Sequence, residues 1–244
     1  MLKKKKTLKI KGFQSELEIA RVGSGEGIST HLAKKQAKEG PDTSLSAEEK
    51  SEIIRQAAIK FGEFLTALGV DWQNDPHSAD TPKRVAGAYV LDLWKGRYER
   101  TPRVTTFPNE RGYDGLVFEG GIPLTSMCAH HHQAIIGIVH VAYIPDGAGR
   151  VIGLSKLNRI VEHFARRAVI QEGLTMLIHN AIDKISGQNR GVAVVIAAGH
   201  HCVKCRGVKH HDTTMKTYKF SGDFEEPNSR ARSDFYQLMS CRTD

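Results

Sequence analysis

An α+β fold is what this chain predicts: an antiparallel sheet with helices on one face, preceded by a small helical N-terminal region. Three observations carry that expectation. Apolar residues recur at helical spacing between residues 53 and 68 and again between 157 and 185. Short runs rich in β-branched residues, 115–119, 134–144 and 191–199, read as strands. Their order, small helices, then a strand pair, two helices and a second strand pair, stacks helices on a sheet of few strands. Such a sheet has open edges, and association with other copies would cover them.

Taken in order, residues 1–46 form a basic N-terminal extension rich in Lys, Gly and Ser, in which 7–22 alternate weakly as a strand or hairpin would. A helical part follows over 47–110, and the sheet-bearing domain over 111–244. Ser46-Ala47-Glu48-Glu49 is a capping box, with Glu three residues after the serine. Behind it Ile53, Ile54, Ala57, Ala58, Phe61, Phe64, Leu65 and Leu68 make one stripe, and Gly69 is the stop. Asp80-Thr81-Pro82 opens a second helix with a capping residue and then proline. It runs to about Trp94 or Lys95, with Gly96 as its end. Pro145-Asp146-Gly147 is turn chemistry. Gly153-Leu154-Ser155-Lys156 starts a helix whose apolar side is Leu157, Ile160, Val161 and Phe164, and Leu174, Leu177, Ile178, Ala181, Ile182 and Ile185 mark another. The strand over 191–199 continues extended through His200–Val208. Thr213–Phe220 reads as a further strand and 228–238 as a short last helix.

Composition narrows the function classes. Hydrophobic residues make up 40%, which excludes disorder throughout. No apolar run reaches the ~18 residues of a membrane helix. The lysine-rich start, Lys3 to Lys6, has no apolar stretch behind it and is not a secretory signal. Four cysteines, two of them beside histidines, suit metal binding in the reducing cytoplasm better than a disulfide framework. The net charge of +8 is concentrated in residues 1–46, where ten Lys+Arg against five Asp+Glu leave +5. Only +3 remains for the rest, so the charge reads as a solvated tail rather than a nucleic-acid surface.

The chemistry is concentrated in Ser126-Met127-Cys128-Ala129-His130-His131-His132 and, far along the chain, Gly199-His200-His201-Cys202. Thiolate and imidazole are the ligands zinc prefers, and three protein ligands with a fourth position open is its catalytic arrangement. Cys128 and His131, three apart, share one side of a helical turn. On an extended strand His200 and Cys202 face one way, and Cys205, three from Cys202, faces the other. The best site is therefore Cys128, His131 and Cys202 on the metal, with His130 and His200 as free bases. A closed structural zinc is the competing reading, since both kinds of site use these ligand types. An open zinc lowers the pKa of water to about 7, and histidines can then move protons. Around it, Ser155, Lys156 and Arg159 at a helix start, together with Arg84 and Arg206, could hold several phosphates. Gln171-Glu172 could read a purine edge.

At these residues the sequence resembles the GTP cyclohydrolase I family. The resemblance runs from about Ala47 to Met239. It rests on Thr81-Pro82-Lys83-Arg84-Val85-Ala86, Ser126-Met127-Cys128-x-His130-His131, Ala142-Tyr143-Ile144-Pro145, Gly153-Leu154-Ser155-Lys156-Leu157 with Arg159-Ile160-Val161, Gln171-Glu172, and His200-x-Cys202-x-x-x-Arg206-Gly207-Val208. It implies the tunnelling fold, closed into a ring of copies, usually a decamer of two pentamers with sites between subunits. It implies zinc on Cys128, His131 and Cys202, acid–base work by His130 and His200, guanine held by Glu172 with Gln171, and the triphosphate held by Arg84, Ser155, Lys156, Arg159 and Arg206. The reaction implied is hydrolysis of GTP at C8, loss of formate, an Amadori rearrangement and closure to 7,8-dihydroneopterin triphosphate. The chain departs from the family pattern at Gly87, where lysine is usual, at Ala129, where glutamate is usual, and at Gly173, where arginine is usual. Those departures leave room for other readings. One is a cyclohydrolase that takes another nucleotide or stops after the first hydrolysis. Another is a non-catalytic nucleotide-binding or assembly module with structural zinc. A nitrile reductase on the same scaffold would need a cysteine nucleophile and NADPH, and no dinucleotide fingerprint is present.

Overall fold

A computed structural model of the chain describes residues 44–147 and 149–241, together with Leu32 and Lys35. The alternating stretch 7–22 lies outside the described residues.

Helix α1 (Ala47–Ala67) begins on the expected capping box. Glu49 N–H donates to Ser46 Oγ at 3.1 Å, and Ser46 N–H donates to the Glu49 carboxylate at 2.8 Å. It stops at Gly69, whose φ of +78° lets Gly69 N–H reach Thr66 O and Val70 N–H reach Leu65 O. The apolar stripe is only partly covered: Phe64 and Leu68 are 54% and 63% exposed. Helix α2 (Thr81–Ala88) lacks the expected cap, because the Asp80 side chain makes no capping bond and lies toward Arg84 at 3.4 Å. Gly96 does not end the helical run. The chain passes through a π-helical turn, Tyr89–Leu93, into α3 (Lys95–Tyr98). Gly96 is buried within α3, and a Cβ there would lie 1.9 Å from His163 O. It is glycine so that two backbones can touch, which sequence reading mistook for a stop.

Strands β1 (Thr106–Pro108) and β4 (Arg150–Ile152) form a small antiparallel pair. The main sheet contains β2 (Val117–Cys128), β3 (Ala134–Pro145), β5 (Ala168–Val169), β6 (Asn189–His200) and β7 (Met215–Phe220), in the order β5-β2-β3-β6-β7. All neighbours are antiparallel except β5, which runs parallel to β2. Strand β2 extends well past the 115–119 predicted for it. A register shift between Glu119 and Ile122, with Gly121 at φ +70°, switches the side-chain parity and hides the alternation. Pro123 is tolerated because β5 reaches β2 only at Met127 and Cys128, so no outer neighbour needs its missing N–H.

Helices α4 (Leu154–Ala165) and α5 (Gln171–Ser186) cover one face, as expected. They bury Leu157, Ile160, Leu174 and Ile178 against Val139, Val141, Val194 and Ile196. Beyond β6 the extended continuation gives way to one helical turn, α6 (His201–Lys204). The β6 ladder ends at His200 opposite Ile135, one residue into β3, so the backbone past it has no strand to pair with. It closes on itself instead, with Cys205 N–H donating to His201 O at 2.8 Å. The last helix, α7 (Arg230–Ser240), packs Phe235 on the opposite face of the sheet, beside Phe220 and Phe224.

Two contacts fix the direction of α4. Near its start, Asn158 donates to the Glu119 carboxylate early in β2; just after its end, β5 pairs with Met127 and Cys128 at the end of β2. Helix and strand run the same way. No helix among the described residues is long and apolar enough to cross a membrane.

Candidate metal and acid–base site

The site forms where β2 and β6 end side by side across β3. The β2 end reverses in a tight turn, with His132 N–H donating to Cys128 O at 2.9 Å and Cys128 N–H to Gln133 O at 2.8 Å. His132 takes the left-handed φ of 50° that closes it. The turn is held from two sides. Ala129 N–H donates to Val169 O of β5 at 3.0 Å. The rings of Tyr89 and Trp94 meet the His132 ring at 6.0 and 5.3 Å between centroids. Trp94 also donates from Nε1 to Met127 Sδ at 3.3 Å.

Across the sheet, His200 closes β6 and α6 carries Cys202. One ligand atom each from Cys128, His131 and Cys202 lie within 4.8 Å of one another. Cys128 is buried, Cys202 half-buried and His131 exposed, so the group opens to solvent on the histidine side. Burial pushes the Cys202 thiol up, and the Cys128 thiol beside it pushes the same way, against the pull of Arg206. A coordinating cation would invert that preference at Cys202. With an imidazole as third donor, the set fits a zinc-type ion. Cys205 stays outside the group as expected, though not through strand parity: it caps α6, exposed, with its thiol 3.5 Å from His201 Nδ1.

The two histidines expected to be free bases flank the group. His130 Nδ1 lies 3.8 Å from Cys128 Sγ. His200 Nε2 lies 2.8 Å from Gln171 Oε1, and burial holds its pKa below the ordinary imidazole value against the opposing charge of Glu172. Glu172 is exposed on the first turn of α5. Gln171, expected to share a base with Glu172, is only 1% exposed, and its amide is occupied by protein groups. Thr175 and Thr217, which complete that network, were not found by sequence reading. Thr217 lies 46 residues from Gln171, and only its place in the predicted 213–220 strand hinted at it.

The cations divide. Arg206 acts electrostatically on Cys202 and belongs to the metal end. Ser155, Lys156 and Arg159 sit on the first turns of α4 with Asn158, at the Glu119 end of β2. From Glu119 to Cys128 that strand carries the chain about 30 Å. Arg84 lies apart on α2, paired with Asp80.

Comparison with known proteins places this arrangement. The sequence profile of the GTP cyclohydrolase I family matches residues 57–240. The chain belongs to the GTP cyclohydrolase I family. GTP cyclohydrolase 1 of Flavobacterium johnsoniae is 40% identical over 187 residues, 76% of this chain and 81% of that protein. The GTP cyclohydrolase 1 of Aeromonas salmonicida is 37% identical over 220 residues, 89% of this chain and 94% of that one. Among solved structures, archaeosine synthase QueF-Like in its apo form aligns with a TM-score of 0.36 at 19% identity, covering 44% of this chain and 93% of that chain. Within the GTP cyclohydrolase I frame, packing does not demand the glycines at two of the three departures. A Cβ at Gly87 would meet nothing within 4 Å, and one at Gly173 only Ile170 at 3.5 Å. At the third, the Ala129 backbone bond to Val169 ties down the turn that carries Cys128 and His131 without help from the side chain.

Proposed function

We propose that this chain is a zinc-dependent GTP cyclohydrolase I of the cytoplasm, converting GTP and water to 7,8-dihydroneopterin triphosphate and formate as a homo-oligomer. The observation that carries the reading is the three-donor group of Cys128, His131 and Cys202 with two further imidazoles at its edge. Zinc held by those three residues supplies Lewis acidity and a lowered water pKa. The remaining work falls to the protein's own groups. His200, kept neutral by burial, accepts and returns a proton beside the reacting ring. His130, exposed beside Cys128, serves the second transfer. The Glu172 carboxylate accepts from N1–H and the exocyclic amine of guanine. Arg206 steadies phosphate near the metal.

The direction of α4 supports an assembled site. Ser155, Lys156 and Arg159 lie on the order of 20 Å or more from the metal ligands of their own chain, given the ~30 Å run of β2 between the two ends. They hold the triphosphate of a substrate seated at the metal of a neighbouring copy, in the ring of subunits the family resemblance implies, a decamer of two pentamers.

The test is to incubate zinc-loaded protein with GTP and follow formate and, after oxidation, pterin fluorescence. Both products together are expected. Formate without pterin would support a reaction that stops after hydrolysis. Neither, from assembled protein with zinc bound, would overturn the reading for GTP.

A further inference from the structure

Gln171 is the most buried polar side chain beside the site, and we infer that it is the positioning residue that fixes the tautomer and ring orientation of His200, not a reader of the base. The inference rests on the reading of His200 as a proton carrier given above.

The hydrogens can be assigned from chemistry alone. Gln171 has one end of its amide at Ile196 O (3.3 Å), Met215 O (3.1 Å) and Thr217 Oγ1 (3.1 Å). Two of those partners are backbone carbonyls, which only accept, so that end is the NH₂. The other end, facing His200 Nε2 at 2.8 Å, is therefore the carbonyl oxygen. A carbonyl oxygen only accepts, so His200 Nε2 carries a hydrogen. The rest of the network agrees. Thr175 Oγ1 spends its hydrogen on Gln171 O at 2.9 Å, so in the 2.7 Å contact between the two hydroxyls Thr217 is the donor and its lone pair remains for the Gln171 amide. The imidazole and the two hydroxyl hydrogens each have one place to go, and the two amide hydrogens are shared among three acceptors.

Two consequences follow. Neutral His200 is held in one tautomer, with Nδ1 the only ring atom able to take up a proton, and the ring cannot turn without breaking the bond to Gln171. The Gln171 amide has both hydrogens engaged inside the protein and is only 1% exposed, so it has no free donor and no accessible oxygen for a purine. Glu172 beside it, exposed, does.

The experiment uses assembled, zinc-loaded full-length protein. Gln171→Leu removes the acceptor at similar size. It is expected to lower kcat about 10- to 100-fold, as loss of an orienting partner does, with KM for GTP within about two-fold of wild type. Gln171→Glu, neutral when buried, keeps an oxygen for His200 and one donor, and is expected to recover much of kcat. A raised KM with unchanged kcat would return Gln171 to the base and overturn the inference. Equal loss in both variants would reduce it to packing. A second readout needs no turnover: nitrogen-15 NMR of labelled histidines, with His200 assigned through His200→Gln, is expected to show the Nε2–H tautomer in wild type. An Nδ1–H tautomer would overturn the inference even if GTP is a substrate. Absence of GTP turnover by wild type with the Nε2–H form present would fault the proposed function and leave this assignment standing.

Discussion

At the Cys128 end of the sheet, backbone and side-chain groups are tied to other groups of the same chain. The turn at Cys128 is bonded to β5 and meets the Trp94 ring edge-on, and His200 is bonded through Gln171 to Thr217. At the Ser155 end, helix α4 starts without a side-chain cap, and Ser155 and Arg159 face solvent. One end can orient a reacting ring by itself; the other presents backbone N–H groups and cations outward, suited to an anion. Under the proposed function, the half presented outward would complete the site of a neighbouring copy through head-to-tail contact. Such contact closes into rings when the rotation permits.

The comparison breaks first at the ordered end. His200→Ala is expected to lower turnover about 10²- to 10⁴-fold, the usual worth of a positioned acid–base group, with zinc content unchanged. Cys202→Ser is expected to lower it at least as far and to lose the metal as well, read by zinc analysis of the purified protein. Zinc loss in His200→Ala would mean that the histidine is a ligand and that the division of labour drawn here is wrong.

Hybrids between the two ends come next. Arg159→Ala and His200→Ala proteins, each nearly inactive alone, are dissociated, mixed in equal amounts and reassembled. If each site takes its metal end from one copy and its cations from another, about a quarter of sites, one half times one half, are wild type at both ends. About that fraction of the wild-type rate should return. If the site lies within one chain, every copy carries one lesion and activity stays at the parental level.

Most of this site was legible in the sequence because it depends on short spacings. Cys128 and His131 are three residues apart, a local spacing, and Cys202 joins them through the pairing of β2 and β6 with β3, although it lies on a helical turn and not on the extended strand expected. The helices α4 and α5 were legible for the same reason, since their stripes repeat within a few residues. What stayed hidden depends on contacts distant along the chain. The bulge at Gly121 conceals most of β2, the meaning of Gly96 lies in a backbone 67 residues away, and the commitment of Gln171 lies in a strand 46 residues on. None of these leaves a periodic trace.

Gly96 gives a smaller effect that asks how far the ordered end depends on the helical region. Gly96→Ala drives a Cβ into His163 O and toward Arg166 O, both backbone, so α3 must move off α4. Arg167, which donates to Gly96 O at 2.7 Å, and Trp94 on Met127 move with it. The expected cost is about 1–3 kcal/mol, seen as a Tm lowered by roughly 2–4 °C per kcal/mol. Zinc should also be lost to a chelator faster than from wild type. A lowered Tm with unaltered zinc loss would show that the turn at Cys128 is held by β5 alone.

The smallest effect expected concerns the open, cationic side, at the glycine where relatives by resemblance carry lysine. Gly87 lies three residues beyond Arg84, on the same side of α2, and a Cβ there meets nothing within 4 Å. Replacing glycine by lysine inside a helix is worth about 0.5–1 kcal/mol, so Gly87→Lys should raise Tm slightly. A lysine on this face of α2, not enclosed between copies as Arg159 is in the proposed site, would contribute at most about 1 kcal/mol to binding, so KM for GTP should fall about two- to five-fold, with kcat unchanged. The gain should shrink as salt is raised, because an exposed charge is screened. A higher Tm with KM unmoved at low salt would remove α2 from the phosphate subsite. Arg84 would go with it, and the cations at the start of α4, with Arg206, would be left to hold the triphosphate.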